Sequence, residues 1–62
     1  MNDDFEVLEG KIKATTDLAI LLETPDGGEI WIPRSCCEDG SLDIDDEDPE
    51  VAEWWLRKEG LK

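Results

Sequence analysis

Histidine and tyrosine are absent from this chain, and basic side chains are scarce. Six lysines and arginines stand against 18 aspartates and glutamates, a formal charge of -12. Phosphate contacts need clustered lysine and arginine, so direct nucleic-acid binding is excluded as a first reading. The same charge opposes docking on an anionic membrane surface. No stretch approaches the ~20 apolar residues of a membrane span. Met1-Asn2-Asp3-Asp4 is acidic where a secretory signal would carry a basic segment and an apolar run, so a cytoplasmic protein is expected. The lack of histidine also removes the usual general base near neutral pH. Ser35 and Ser41 lie outside any Gly-x-Ser-x-Gly turn, and no enzymatic activity is expected. The two cysteines, Cys36 and Cys37, are neighbours, and a normal trans peptide does not offer the geometry to bridge them. Without Cys-x-x-Cys spacing or histidine, a four-ligand zinc site cannot be completed within one chain. Asp43-Ile44-Asp45-Asp46-Glu47-Asp48 opens like a calcium loop. It then fails, with Asp48 where glycine is needed for the turn and Trp54 where a bidentate glutamate is needed. No metal or cofactor is expected.

What is present is a core. The apolar fraction equals the charged fraction at 39%, and it includes Trp31, Trp54 and Trp55. Tryptophan buries roughly 150–250 Å² per side chain, which offsets the marginal burial open to so short a chain. A single small folded domain is expected over residues 1–62, as a monomer or a homodimer. Phe5 to Ala14 alternates with a phase change just before Gly10, which reads as one strand with a bulge. Thr15-Thr16-Asp17 is a turn, and Leu18 to Thr24 is an apolar run of strand length. Pro25-Asp26-Gly27-Gly28 is a strong turn signal. Glu29 to Pro33 alternates, with Ile30 and Ile32 on one face and Trp31 on the other. Three strands joined by short turns make an antiparallel meander.

Ser35-Cys36-Cys37-Glu38 has the capping-box spacing and predicts one short helical turn. Leu42 and Ile44 alternate with Asp43 and Asp45, which suits a brief fourth strand at an edge. Asp48-Pro49-Glu50 reads as a helix start. Arg57 and Lys58 favour its last turn, and Gly60 with Leu61 fits a Schellman ending on Leu56. Trp55 is the expected core anchor of that helix, with Trp54 partly exposed. The expected fold is α+β: a three- to four-stranded antiparallel sheet with one C-terminal helix and a short helical turn.

Charge is the main functional signal. From Glu38 to Glu53 there are nine acids and no lysine or arginine: Glu38, Asp39, Asp43, Asp45, Asp46, Glu47, Asp48, Glu50 and Glu53. Asp48 and Glu50 are accounted for by the dipole of a helix starting there. Asp43, Asp45, Asp46 and Glu47 repel one another with no such return, which points to a binding surface. The matching partner is a basic protein groove. Duplex DNA carries one negative charge per ~1.7 Å of axis, so twelve charges correspond to about 20 Å of duplex, the width of a small domain. Arginine and lysine that grip phosphate grip carboxylate alike. Trp54 beside the acids would anchor such a contact. Acidity as mere solubility in a salt-rich cell fits poorly, because the acids cluster there and because Glu6 and Glu9 interleave with Lys11 and Lys13.

Two stretches carry a resemblance. Glu29-Ile30-Trp31-Ile32-Pro33-Arg34-Ser35 resembles the "VWLPKS" strand end of many small phage and mobile-element proteins. Glu53-Trp54-Trp55-Leu56-Arg57-Lys58-Glu59-Gly60-Leu61 resembles their "EWLAxKKGL" ending. Within that pool of small acidic products the chain resembles anti-CRISPR proteins that block type I interference complexes by imitating duplex DNA. The resemblance implies a phage-encoded inhibitor in the host cytoplasm, its acids occupying the surface of a CRISPR effector where the PAM-bearing duplex is read. It departs from the pattern at Trp55, where leucine is usual, and in the acidic run Asp45 to Asp48. No contact residue is transferred by these motifs, which mark fold-determining positions. The reading from another class is a small accessory module of phage DNA metabolism that binds protein through its sheet and tryptophans.

Overall fold

A computed structural model describes residues 4–61. The elements run β1 (Phe5–Val7), β2 (Lys11–Thr15), β3 (Ala19–Glu23), β4 (Glu29–Pro33), a 3-10 turn (Arg34–Cys36), β5 (Glu50–Ala52) and α1 (Glu53–Lys58). β2, β3 and β4 form the expected antiparallel meander, with β3 central. Ile12 pairs with Leu22, Ile20 with Ile32 and Leu22 with Ile30, so these side chains share the inner face. The register slips between Ile12 and Ala14, which sets Ala14, Leu21 and Trp31 across the outer face. Both connecting turns are closed by side chains. The Thr16 hydroxyl accepts the Ala19 N–H at 3.0 Å. The Asp26 carboxylate accepts from Gly28 N–H at 3.2 Å and from the Thr24 hydroxyl, and the Thr24 hydrogen bond holds its pKa below the ordinary carboxylate value.

The first strand is corrected. Phe5 to Ala14 is two strands, because the chain turns at Gly10 instead of bulging within one sheet. β1 leaves the meander and pairs antiparallel with β5: Phe5 with Ala52, Glu6 with Val51, Val7 with Glu50. Gly10 has φ +151°, and a Cβ there would lie 2.5 Å from the Glu23 carbonyl oxygen. Only glycine permits this close pass over β3.

The C-terminal helix is corrected as well. It begins at Glu53, and Asp48-Pro49-Glu50 lies outside it. Asp48 takes a left-handed φ of 52°, and its carboxylate accepts the Gly10 N–H at 3.1 Å instead of capping a helix. Pro49 is buried, and Glu50–Ala52 is drawn into strand by β1 on one side and by the Cys37↔Val51 bridge on the other. Tertiary pairing therefore overrides a local start signal. The helix ends as expected: Leu61 N–H donates to Leu56 O at 2.8 Å and Gly60 N–H to Arg57 O at 3.1 Å, the two bonds of a Schellman motif.

Two smaller expectations also fail. The capping box at Ser35 does not form, since the 3-10 turn starts after Pro33 with no side-chain cap. The edge strand at Leu42 and Ile44 is a pair of turns in which Leu42 packs on the core and Ile44 is exposed.

The core lies between the meander and the β5–α1 segment. Ile12, Ile20, Leu22, Ile32 and Val51 are fully buried, and Cys36, Cys37, Ala52, Trp55 and Leu56 complete the cluster. Trp55 is buried and Trp54 is exposed, as the sequence indicated. The two thiols are free and buried, and burial pushes the Cys37 thiol upward, so they are unreactive filler.

Candidate partner-binding surface

The 38–49 segment has no helix or strand of its own, yet it is pinned at several points. Arg34 is one pin. Its Nε donates to Thr16 O at 2.9 Å, and its Nη1 donates to Gly40 O at 3.0 Å and Leu42 O at 2.7 Å. One guanidinium thus ties the β2–β3 turn to the start of the acidic loop, using its planar fork. Arg34→Ala is expected to destabilise the domain by about 2 kcal/mol through lost charge-assisted bonds. Hydrogen exchange at residues 41–46 should rise beyond that global change, and Arg34→Lys should rescue only part of the loss.

The second pin is the far edge of β2. Ile12 N–H donates to Asp46 O at 2.9 Å, Asp45 N–H to Ile12 O at 3.0 Å and Asp48 N–H to Gly10 O at 2.9 Å. Residues 45–48 thus run beside β2 much as a sixth strand would, with Lys11 bridged to Glu47. The remaining pins come from the acids themselves. Asp39 Oδ1 accepts from Ser41 N–H at 2.9 Å and from the Ser41 hydroxyl at 2.6 Å, and this serine contact lowers its pKa. Asp46 Oδ2 accepts the Asp43 N–H at 2.9 Å, and Asp43 Oδ1 accepts the Ile44 N–H at 2.7 Å. The sequence reading of Asp43, Asp45, Asp46 and Glu47 as acids without structural return is therefore corrected. Asp43 and Asp46 close a turn, and Asp45 takes a left-handed φ of 76° and faces Lys11 Nζ at 3.6 Å. Of these four, Glu47 alone has no side-chain partner within hydrogen-bond or ion-pair distance among the described residues.

The structure divides the candidate residues into three groups. Glu38, Asp39, Glu47, Asp48 and Glu50 line one open concavity, floored by Leu42 and Pro49. Asp43, Asp45 and Asp46 form the turn before it. Glu53 lies on α1, paired with Arg57, and Trp54 is 51% exposed; neither lines the concavity. Glu9 and Glu23 were passed over in the sequence. They line an adjoining groove that shares Glu47 and Asp48 with the concavity, because Gly10 turns the chain past residues 47–48. No sequence signal reveals that, since it depends on long-range pairing.

Cations touch this surface at one point. Among the described residues the ion pairs are Lys11–Asp45, Lys13–Glu23, Lys13–Glu29 and Arg57–Glu53. Lys11 and Lys13 therefore pair with Asp45 and with Glu23 and Glu29, not with Glu6 and Glu9. Of the nine acids from Glu38 to Glu53, two (Asp45 and Glu53) have a cation partner, leaving seven without one.

Glu38 and Glu50 show the crowding most directly. Glu38 N–H donates to Glu50 O at 2.9 Å, so the two acids are cross-strand neighbours. A side-chain hydrogen bond with Glu50, and then its charge, push the Glu38 pKa above 4.5. The folded state holds that proton more tightly than the unfolded chain, so the repulsion costs stability above the folded pKa and disappears below about 4.5. Glu38→Gln should raise the melting temperature near pH 7 and leave it unchanged near pH 3.5. Asp26 and Asp39 act in the opposite sense: their lowered pKa values add stability that is lost as pH falls below 3.8.

No helix among the described residues is long and apolar enough to cross a membrane. Among the same residues no group of three or more acids or cysteines is arranged to hold a metal ion. No protein family, curated protein or solved structure matches this chain.

Proposed function

We propose that this chain is a non-enzymatic inhibitor of a type I CRISPR surveillance complex. It acts in the bacterial cytoplasm as an acidic mimic of duplex DNA on the surface that reads the PAM. The observation that supports this is the gathering of Glu38, Asp39, Glu47, Asp48 and Glu50 around one concavity with no lysine or arginine among its lining residues. Carboxylates held on a pinned loop present fixed negative charge, so a basic partner need not order them on binding. The partner's arginines would engage them bidentately, as they engage phosphates.

Attraction of this kind is screened by salt. Binding of the purified chain to the surveillance complex should weaken by about 100-fold or more between 50 and 500 mM NaCl. An affinity that does not change over that range overturns the reading.

The second reading is a small accessory module of phage DNA metabolism that docks on protein through its tryptophans. It draws on Trp31 and Trp54, which are 52% and 51% exposed and lie away from the concavity. It expects salt-tolerant binding that Trp54→Ala abolishes; the mimic reading expects that variant to bind within a few-fold of wild type.

A further inference from the structure

We propose that β4 is the self-association edge of this protein, and that two copies pair antiparallel through Glu29–Pro33 about a two-fold axis at Trp31. This is independent of what the acidic concavity binds.

β4 lies at the end of the β2-β3-β4 sheet, and no strand is hydrogen-bonded to its free side. Exposed edges are ordinarily blunted by lysine, proline, a bulge or a covering segment. The far edge of β2 is covered in this way by residues 45–48, and β5 is flanked by β1 and by Cys37–Glu38. The middle of β4 is Ile30-Trp31-Ile32, three strong strand formers with no bulge against β3. Trp31 is 52% exposed on the outer face, directly across from half-buried Leu21, which itself faces Ala14. An apolar stripe therefore runs to the open edge and stops there.

Charge selects the occupant. A second copy bearing the same -12 is repelled by most of this surface. Beside β4, however, Lys13 bridges Glu23 and Glu29, so the outer face of the meander carries its own counter-charge. Antiparallel pairing centred on Trp31 sets Ile30 against the second copy's Ile32 and Glu29 against its Pro33. The two Glu29 carboxylates then stand four residues apart along the strand, about 14 Å at ~3.4 Å per residue. That exceeds the ~8 Å screening length at physiological salt. Parallel pairing would set Glu29 beside Glu29 and is disfavoured. The antiparallel arrangement is isologous, closes as a dimer, and stacks two Trp31 side chains as a cross-strand pair.

The interface is small. A stable one takes about 800 Å² from each partner, which would be a fifth of the 4089 Å² surface of this molecule. A five-residue edge supplies less, so the dimer should be populated at hundreds of micromolar and not at low micromolar concentration. It should also strengthen with salt, because screening relieves the repulsion between two acidic bodies, whereas binding through the acids weakens.

Sedimentation equilibrium at 300 µM in 50 mM and 1 M NaCl tests this. The dimer fraction should at least double at high salt, and Trp31→Lys should return the protein to monomer at both salt concentrations with its circular dichroism unchanged. Trp31→Thr keeps strand propensity and serves as a second variant, expected to weaken the dimer by about tenfold. Monomer at 1 M NaCl, dimer lost equally on Trp54→Lys, or dimer retained by Trp31→Lys would each overturn the proposal.

Discussion

Gly10→Ala is expected to remove most of the stability of this domain. Two costs add at that position. The backbone sits at φ +151°, a region essentially closed to residues with a Cβ, worth about 1–3 kcal/mol. The new methyl would also meet the Glu23 carbonyl oxygen at 2.5 Å and the Leu22 side chain at 3.0 Å. The oxygen belongs to the backbone of the central strand and cannot step aside without disturbing β2–β3 pairing. A loss of about 3 kcal/mol or more follows, set against the ~3–9 kcal/mol available to a chain of this length at 0.05–0.15 kcal/mol per residue. The melting midpoint should fall by about 15 °C or more. Gly60→Ala is the control. It shares a positive φ, 76°, but nothing lies within 4 Å of the added methyl, so about 1 kcal/mol is expected. Equal losses at the two glycines would mean that the close pass of Gly10 over β3 is not what fixes the bend.

Reversing charge at Glu47 and Glu50 together is expected to weaken partner binding by at least 100-fold. Both line the concavity, both are exposed, and neither donates or accepts within the loop's turns, so the fold should survive Glu47→Lys with Glu50→Lys. Placing lysine against a basic groove replaces attraction with like-charge juxtaposition, which costs several kcal/mol. Each 1.4 kcal/mol is tenfold in affinity. The matched control is Asp17→Lys with Glu59→Lys, two exposed acids away from the concavity. Both double variants carry the same net charge of -8, that is -12 plus 4. The control should bind within about fivefold of wild type at moderate salt. If both lose affinity equally, overall charge and not this surface drives association. Asp43, Asp45 and Asp46 are poor choices for such a test, because their side chains and backbone hold the turn.

The β2–β4 meander was legible because hydrophobic alternation and two turn signals agree at every step, from Ile12 to Pro33. The end of the helix was legible for the same reason: basic residues, Gly60 and Leu61 all sit where a Schellman motif needs them. The start of the helix was not. Asp48-Pro49-Glu50 carries every local mark of a cap, yet Glu50–Ala52 gains more by pairing with β1, a partner over forty residues away. Gly10 signalled an irregularity but not its scale, since a bulge and a sharp bend between sheets need the same glycine. The acidic run was visible as composition. Its division into five acids around a concavity, three in a turn and one on the helix depends on where the 38–49 segment is tied down. Those ties are backbone carbonyls held by Arg34 and backbone pairing with β2, and neither leaves a pattern in the side-chain order.

The most direct test of DNA mimicry is mutual exclusion on one complex. A type I surveillance complex is saturated with a PAM-bearing duplex, the protein is added in excess, and the bound species are resolved by mass. The account predicts two species only, complex with duplex or complex with protein, with the balance following their concentrations. A stable ternary species holding both duplex and protein would contradict it.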